Sequence, residues 1–462
     1  MNSDITKSLI DILDTFYSYI WSTPMLLLIM GIGAYFTIAL RGIQFRYLGY
    51  AFSLIMGKKH YKGEKGDITH FQSLMTALAA TIGIGNIAGV STAIVVGGMG
   101  ALFWMWVTAL LGMATRYAES ILAVKYRTVD KRGEMSGGPM YFIERGMNWR
   151  WLATAFALFG AIAAFGGGNM IQSNSVADVL HNLFSIDPAW SGVILAILTG
   201  LTILGGIKSI GKVASYLVPL MAFFYIGGAS LVLIMRYDLI PQVIMNIFST
   251  AFTGQAAVGG FAGSTIILAI QVGVSRGLMT SEAGLGTASI AASAAQTDVP
   301  GRQALVSMTG CFLATIVMCT FTGLVLGVTG VQGSYDADGK LLTGASMTVA
   351  AFESVVSGGG YIVTIGLILF AFTTLLGWAY YGEKCCEYLL GERSVLWYRL
   401  IFTLIIIPGA VMDLEIVWKI SDVTNGLMAI PNLIGLIALS GVVIKETKGF
   451  MLLLKSEAEN AG

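Results

Sequence analysis

The sequence predicts an all-α polytopic membrane protein of about 11 transmembrane helices, and three observations carry the prediction. Of 462 residues, 56% are hydrophobic and 11% charged, against roughly 25% charged in an ordinary soluble domain. Eleven apolar runs recur along the chain, each near the ~20 residues that carry a helix across a bilayer core. None shows the period-2 alternation of a membrane barrel. A soluble fold this apolar would lack the polar surface to cover itself. The 27 Lys and Arg nearly cancel the 26 Asp and Glu, so the balance points to no nucleic-acid partner. Cys311, Cys319, Cys385 and Cys386 lie in or beside apolar runs and read as small buried hydrophobes, not a disulfide framework.

The runs, numbered as spans 1 to 11, cover 24–41, 70–96, 99–124, 151–181, 189–206, 213–235, 262–295, 303–331, 359–389, 396–412 and 418–444. Before them, Asp4, Asp11 and Asp14 exclude a basic signal n-region and leave a short amphipathic lead-in. The organisation expected is a lead, first helix and cytoplasmic loop over 1–69 and a five-helix unit over 70–235. An outer connection follows over 236–261, then a second five-helix unit over 262–444 and a cytoplasmic tail over 445–462. With the N-terminus outside, alternate loops place 21 Lys and Arg inside and 4 outside, Arg116 and Arg276 falling within spans. That asymmetry follows the positive-inside rule and predicts a cytoplasmic C-terminus.

Fifty-eight glycines are about one residue in eight, and two clusters stand out. Span 2 reads Gly83-Ile84-Gly85-Asn86-Ile87-Ala88-Gly89, and span 7 runs from Gly273 through Arg276, Gly277 and Glu282 to Gly286. Hydrocarbon tolerates an unwound backbone only where it lines a polar cavity. The two spans lie five apart, in opposite directions, at corresponding places in the two five-helix units. Paired interruptions of that kind point to a transporter site. Gly83 to Ala88 also fits a dinucleotide fingerprint and Gly206 to Lys212 most of a phosphate loop. Neither has the strand context or the Ser/Thr that such a site requires. No nucleophile-and-base or metal constellation suggests an enzyme, and none of the residues suggests a bound cofactor.

These motifs, together with Gly112 through Glu119, Gly137 through Phe142, Ser281 through Gly286 and Gly377 through Glu383, resemble the alanine or glycine:cation symporter family over almost the whole chain. The resemblance implies a leucine-transporter-like fold, a five-plus-five inverted repeat with one extra N-terminal helix. It implies a sodium-coupled symporter of small neutral amino acids in a prokaryotic plasma membrane, a monomer or weak oligomer. A proton-coupled permease of the same fold is the alternative. By the same resemblance, Gly83, Ile84 and Gly85 offer backbone N–H groups to a substrate carboxylate. Asn86 buttresses that turn, caps the half-helix or serves a cation. Sodium is expected among Ala79, Ile82, Phe370, Thr373 and Thr374. From span 7, unwound carbonyls of Gly273, Val274, Ser275 and Gly277 are expected at the substrate ammonium.

Two further site residues follow from position. Trp378 lies one helical turn beyond Thr374 on the same face, where an indole would limit the substrate to a methyl or hydrogen side chain. Gln172 belongs to a polar cluster within span 4, costly in lipid and therefore expected at the cavity. Arg116 is expected to snorkel to the cytoplasmic headgroups.

Overall fold

Helices account for most of the computed structural model, which describes residues 3–57, 64–253, 265–335, 339–412 and 415–460. Each of the eleven runs is helical over most of its described length. Six helices among the described residues are long and apolar enough to cross a membrane: Arg150–His181, Gly206–Met235, Pro300–Thr329, Gly359–Leu390, Ser394–Val411 and Ile416–Ala438. The lead and Thr23–Ala39 meet that measure only together, bent by 40°. Spans 2 and 7 fall short because each is broken, into His70–Thr81 with Ala88–Gly97 and Ile266–Ser281 with Thr287–Ser293. Lys58, Lys59, Lys62 and the 254–261 end of the expected outer connection lie outside the described residues.

Local sequence explains where the broken spans start. Thr69 opens span 2 with a capping box: its hydroxyl accepts from the Gln72 amide at 3.1 Å, and the Gln72 side chain accepts from the Thr69 amide at 3.1 Å. Thr265 opens span 7 by accepting from the Leu268 amide at 3.1 Å. Span 4 carries a π-helical turn over Gly166–Met170, a local widening frequent at functional sites. Span 7 packs along span 3, while span 9, Gly359–Leu390, packs against the first half of span 2 and against span 4.

The connections between spans are built rather than slack. Of the expected outer connection, Ile240–Thr253 is a helix. Beyond span 8, the helix Gly344–Glu353 buries Met347, Ala351 and Phe352 and packs against Ala88–Gly97. Between spans 3 and 4, a short hairpin pairs Thr128 with Ser136 and Val129 with Met135. It leads into the helix Pro139–Met147. The hairpin Ser136 hydroxyl accepts from the buried Lys384 ammonium at 2.9 Å, and Arg132 reaches Glu387 at 2.9 Å. The segment expected as a tail is also ordered: Ser440–Glu459 is a helix. Ion pairs join Lys125 to Glu446 and Arg302 to Glu457.

Candidate substrate and cation site

Span 2 stops being a helix at Ile82, whose backbone turns to φ −83°, ψ 93°. Gly83 is extended, Ile84–Asn86 form one tight turn, and the helix resumes at Ala88. Glycine is required at 83 by close approach, since a Cβ there would stand 2.8 Å from the Thr374 hydroxyl. Asn86 is fully buried and ties the turn to span 8. Its Oδ1 accepts the Gly83 N–H at 3.0 Å, and its Nδ2 donates to the Ala314 carbonyl at 2.8 Å. Among the three roles the sequence left open, this is the geometry of a buttress and cap.

The break in span 7 is not where the glycine pattern put it. Ile266–Ser281 is one uninterrupted helix, so Gly273, Val274, Ser275 and Gly277 keep their carbonyls within it. Gly273 and Gly277 serve packing: a Cβ on the first would meet the Ala101 carbonyl oxygen at 2.5 Å, on the second Thr108 at 3.0 Å. Small residues that let two membrane helices approach have this function. Val274 is buried and Ser275 borders a separate surface hollow. The chain unwinds instead at Glu282, Gly284 and Gly286, with φ of 52°, 93° and 83°. Glycine is doubly needed at 286, where a Cβ would also stand 2.5 Å from Pro139 and 2.8 Å from the Asn432 Oδ1.

Arg116 holds this second break, and the snorkelling expectation does not stand. Its side chain is fully buried and donates from Nη1 to the Ser281 carbonyl at 2.7 Å. One turn along, the Glu119 carboxylate accepts from the Gly284 N–H at 2.9 Å and from Asn432 Nδ2 at 2.7 Å. Glu282 accepts from the Thr81 hydroxyl at 3.3 Å and the Thr287 hydroxyl at 3.1 Å, joining the two broken spans.

Between the breaks lies a cavity of about 230 Å³, below the ~300–1,000 Å³ of sites for drug-sized ligands. Gly83, Ile84 and Gly85 form one wall; Gln172, Thr374 and Trp378 also line it. Gln172 donates to the Gly167 carbonyl at 3.0 Å while its Oε1 has no partner. Gly168, in the π-helical turn of span 4, makes room for Trp378, because a Cβ there would lie 2.4 Å from the Trp378 Cβ. The indole packs edge-on to Tyr381, with centroids 5.8 Å apart.

Next to the cavity, the hydroxyls of Thr373 and Thr374 both donate to the Phe370 carbonyl, at 3.0 and 2.8 Å. Threonine in membrane helices commonly bonds back in this way. A donating hydroxyl still keeps lone pairs for a cation, so three oxygens are gathered here. Ala79 and Ile82 lie at the end of the half-helix facing them. There the backbones nearly touch: a Cβ on Gly377 would come within 2.6–2.8 Å of Ala80. Among the described residues no group of three His, Cys, Asp or Glu could hold a metal.

Sequence reasoning missed the wall contributed by span 11, namely Trp418, Ser421, Asp422 and Asn425. Their spacing of three, four and seven is one helical face, and polar residues inside an apolar span were the available signal. Arg276, Met279 and Thr280 line the cavity from span 7.

The family model described as the sodium:alanine symporter family matches residues 6–461. The sodium/alanine symporter AgcS of Methanococcus maripaludis is 54% identical over 98% of this chain and 99% of that protein. An uncharacterized transporter of Haemophilus influenzae is 50% identical, with 96% of each chain covered. Among solved structures, MhsT in complex with L-phenylalanine matches with a TM-score of 0.56 at 14% identity, covering 83% of this chain and 99% of that one. That likeness concerns the fold, which is the leucine-transporter-like inverted repeat with an extra N-terminal helix. The protein is a multi-pass membrane transporter and not an enzyme, and the chain belongs to the sodium:alanine symporter family.

Proposed function

We propose that the protein imports alanine or glycine together with sodium, by alternating access around the cavity between the two broken spans. The observation that carries this reading is the small cavity set against the Phe370, Thr373 and Thr374 oxygens. A relative named for sodium and alanine at 54% identity supports the ion and the substrate. The N–H groups of Ile84 and Gly85 suit a carboxylate, since unwound segments and half-helix N-termini attract anions, whereas that of Gly83 is already held by Asn86 Oδ1. Sodium belongs with the carbonyls of Ala79, Ile82 and Phe370 and the hydroxyls of Thr373 and Thr374, an all-oxygen set fitting a hard cation. The loop asymmetry of 21 to 4 supports an outside N-terminus and a cytoplasmic C-terminus.

Uptake of radiolabelled alanine into proteoliposomes tests the reading. A sodium gradient should drive accumulation, and a proton gradient without sodium should not. Sodium-independent, proton-driven uptake would replace it with the permease alternative. Trp378→Ala tests the size filter separately: leucine in tenfold excess should inhibit alanine uptake by the variant and leave the parent protein unaffected. An unchanged competition profile would remove Trp378 from the role.

A further inference from the structure

The helical course of Gly273 through Gly277 leaves the substrate ammonium without its expected partner, and the cavity wall offers another. We propose that Glu282 binds the ammonium group of the amino acid, a subsite that rests on the reading above of an amino-acid symporter.

Three observations converge on Glu282. It lines the cavity together with the Gly83–Gly85 break. It sits where two half-helices end: Ile266–Ser281 stops immediately before it, and the Thr81 hydroxyl at the end of His70–Thr81 donates to its Oε2 at 3.3 Å. Helix C-termini carry partial negative charge, so two of them and a carboxylate make one strongly cation-attracting point. The Thr287 hydroxyl, 3.1 Å from Oε2, fixes the carboxylate from the other side of the break.

Charge counting gives the third observation. The charged residues lining the cavity are Arg276, Glu282 and Asp422, and Asp422 feels Arg276 as its opposing charge. Behind the wall, Arg116 is shared electrostatically between Glu119 and Glu282. Among the described residues neither carboxylate has an ion pair within 4.0 Å. Three carboxylates against two guanidinium groups leave one carboxylate that a bound ammonium would keep ionised and paired. An α-amino acid with its carboxylate at the Ile84 and Gly85 N–H groups and its ammonium at Glu282 would touch both breaks. It would then bridge the two repeats, since one break belongs to each.

The test compares the full-length protein with Glu282→Gln, Glu282→Gly and Glu282→Asp in proteoliposomes. If the parent protein shows no sodium-driven alanine uptake, the functional reading fails; the variants bear on the subsite alone. Glu282→Gln and Glu282→Gly should raise the alanine KM at least about tenfold. The sodium concentration for half-maximal uptake at saturating alanine should stay within twofold, and Glu282→Asp should recover part of the loss. Glycine suits the left-handed backbone at 282 (φ 52°), so Glu282→Gly offsets by backbone relief what the lost carboxylate costs in stability. An unchanged alanine KM would overturn the proposal. So would an effect confined to the sodium requirement, which would make Glu282 a sodium ligand. The parent protein supplies a variant-free reading: propionate, alanine without its ammonium, should compete at least a hundredfold more weakly than alanine. Equal competition would overturn the proposal as well.

Discussion

Thr374→Val should raise the sodium concentration that half-saturates alanine uptake about tenfold or more. At saturating sodium the alanine KM should change little. Valine keeps the shape of threonine and deletes one oxygen, so packing against Gly83 survives and the lost ligand is isolated. A hydrogen bond or dipole to a charged group contributes about 1.5–3 kcal/mol, and about 1.4 kcal/mol is a tenfold change in affinity. Thr373→Ala should act in the same direction, because both hydroxyls meet at the Phe370 carbonyl. Sodium titration of uptake at fixed alanine measures both effects. A requirement unchanged in both variants would move the cation elsewhere.

Arg116→Met should cost about 3–5 kcal/mol of stability, the range for breaking a buried charge arrangement by removing one partner. The loss has two sources. Glu119 and Glu282 would share no counter-charge, and the Ser281 carbonyl would lose its donor at the end of the span 7 half-helix. Melting midpoints in detergent measure it, and a midpoint equal to the parent's would show that the guanidinium does not hold the break. Combining the change with Glu119→Gln removes one uncompensated charge while keeping an oxygen for the Gly284 N–H and Asn432. The double variant should therefore be more stable than Arg116→Met alone. Non-additivity of this kind is expected of residues in one network.

Arg116 also shows how sequence position misleads in a membrane protein. An arginine in the second half of a span reads as a side chain snorkelling to the nearer headgroups, yet this one is fully buried. What decides between the two is the direction of the side chain around the helix, which depends on the neighbouring span. Gly273 and Gly277 carry the same lesson for backbone. Glycine permits unwinding and also permits close packing, and here Ala101, Trp104 and Thr108 of span 3 occupy the space that glycine opens. At 284 and 286 the backbone itself is left-handed, and the glycines are there for that reason.

Span 11 was legible and went unread. Trp418, Ser421, Asp422 and Asn425 share one helical face, but a span assigned only by its apolarity hides the polar stripe within it. Gln172 was found from the polar cluster around it, Thr374 from the family resemblance and Trp378 from its place one turn beyond Thr374, and all three line the cavity.

What the sequence determined by itself was the membrane as solvent, the eleven helical runs and the family. It also located the first break and the polar residues too costly to leave in lipid. Those follow from composition, run length and local motifs, which act within a few residues of one another. The tertiary structure alone decided where the second break falls and that Asn86 is occupied by the turn. It also placed Glu282 at the meeting of two half-helices more than 200 residues apart in the chain. The physical reason is that glycine, asparagine and buried charge each admit more than one role, and the choice among them is made by the helix packed opposite.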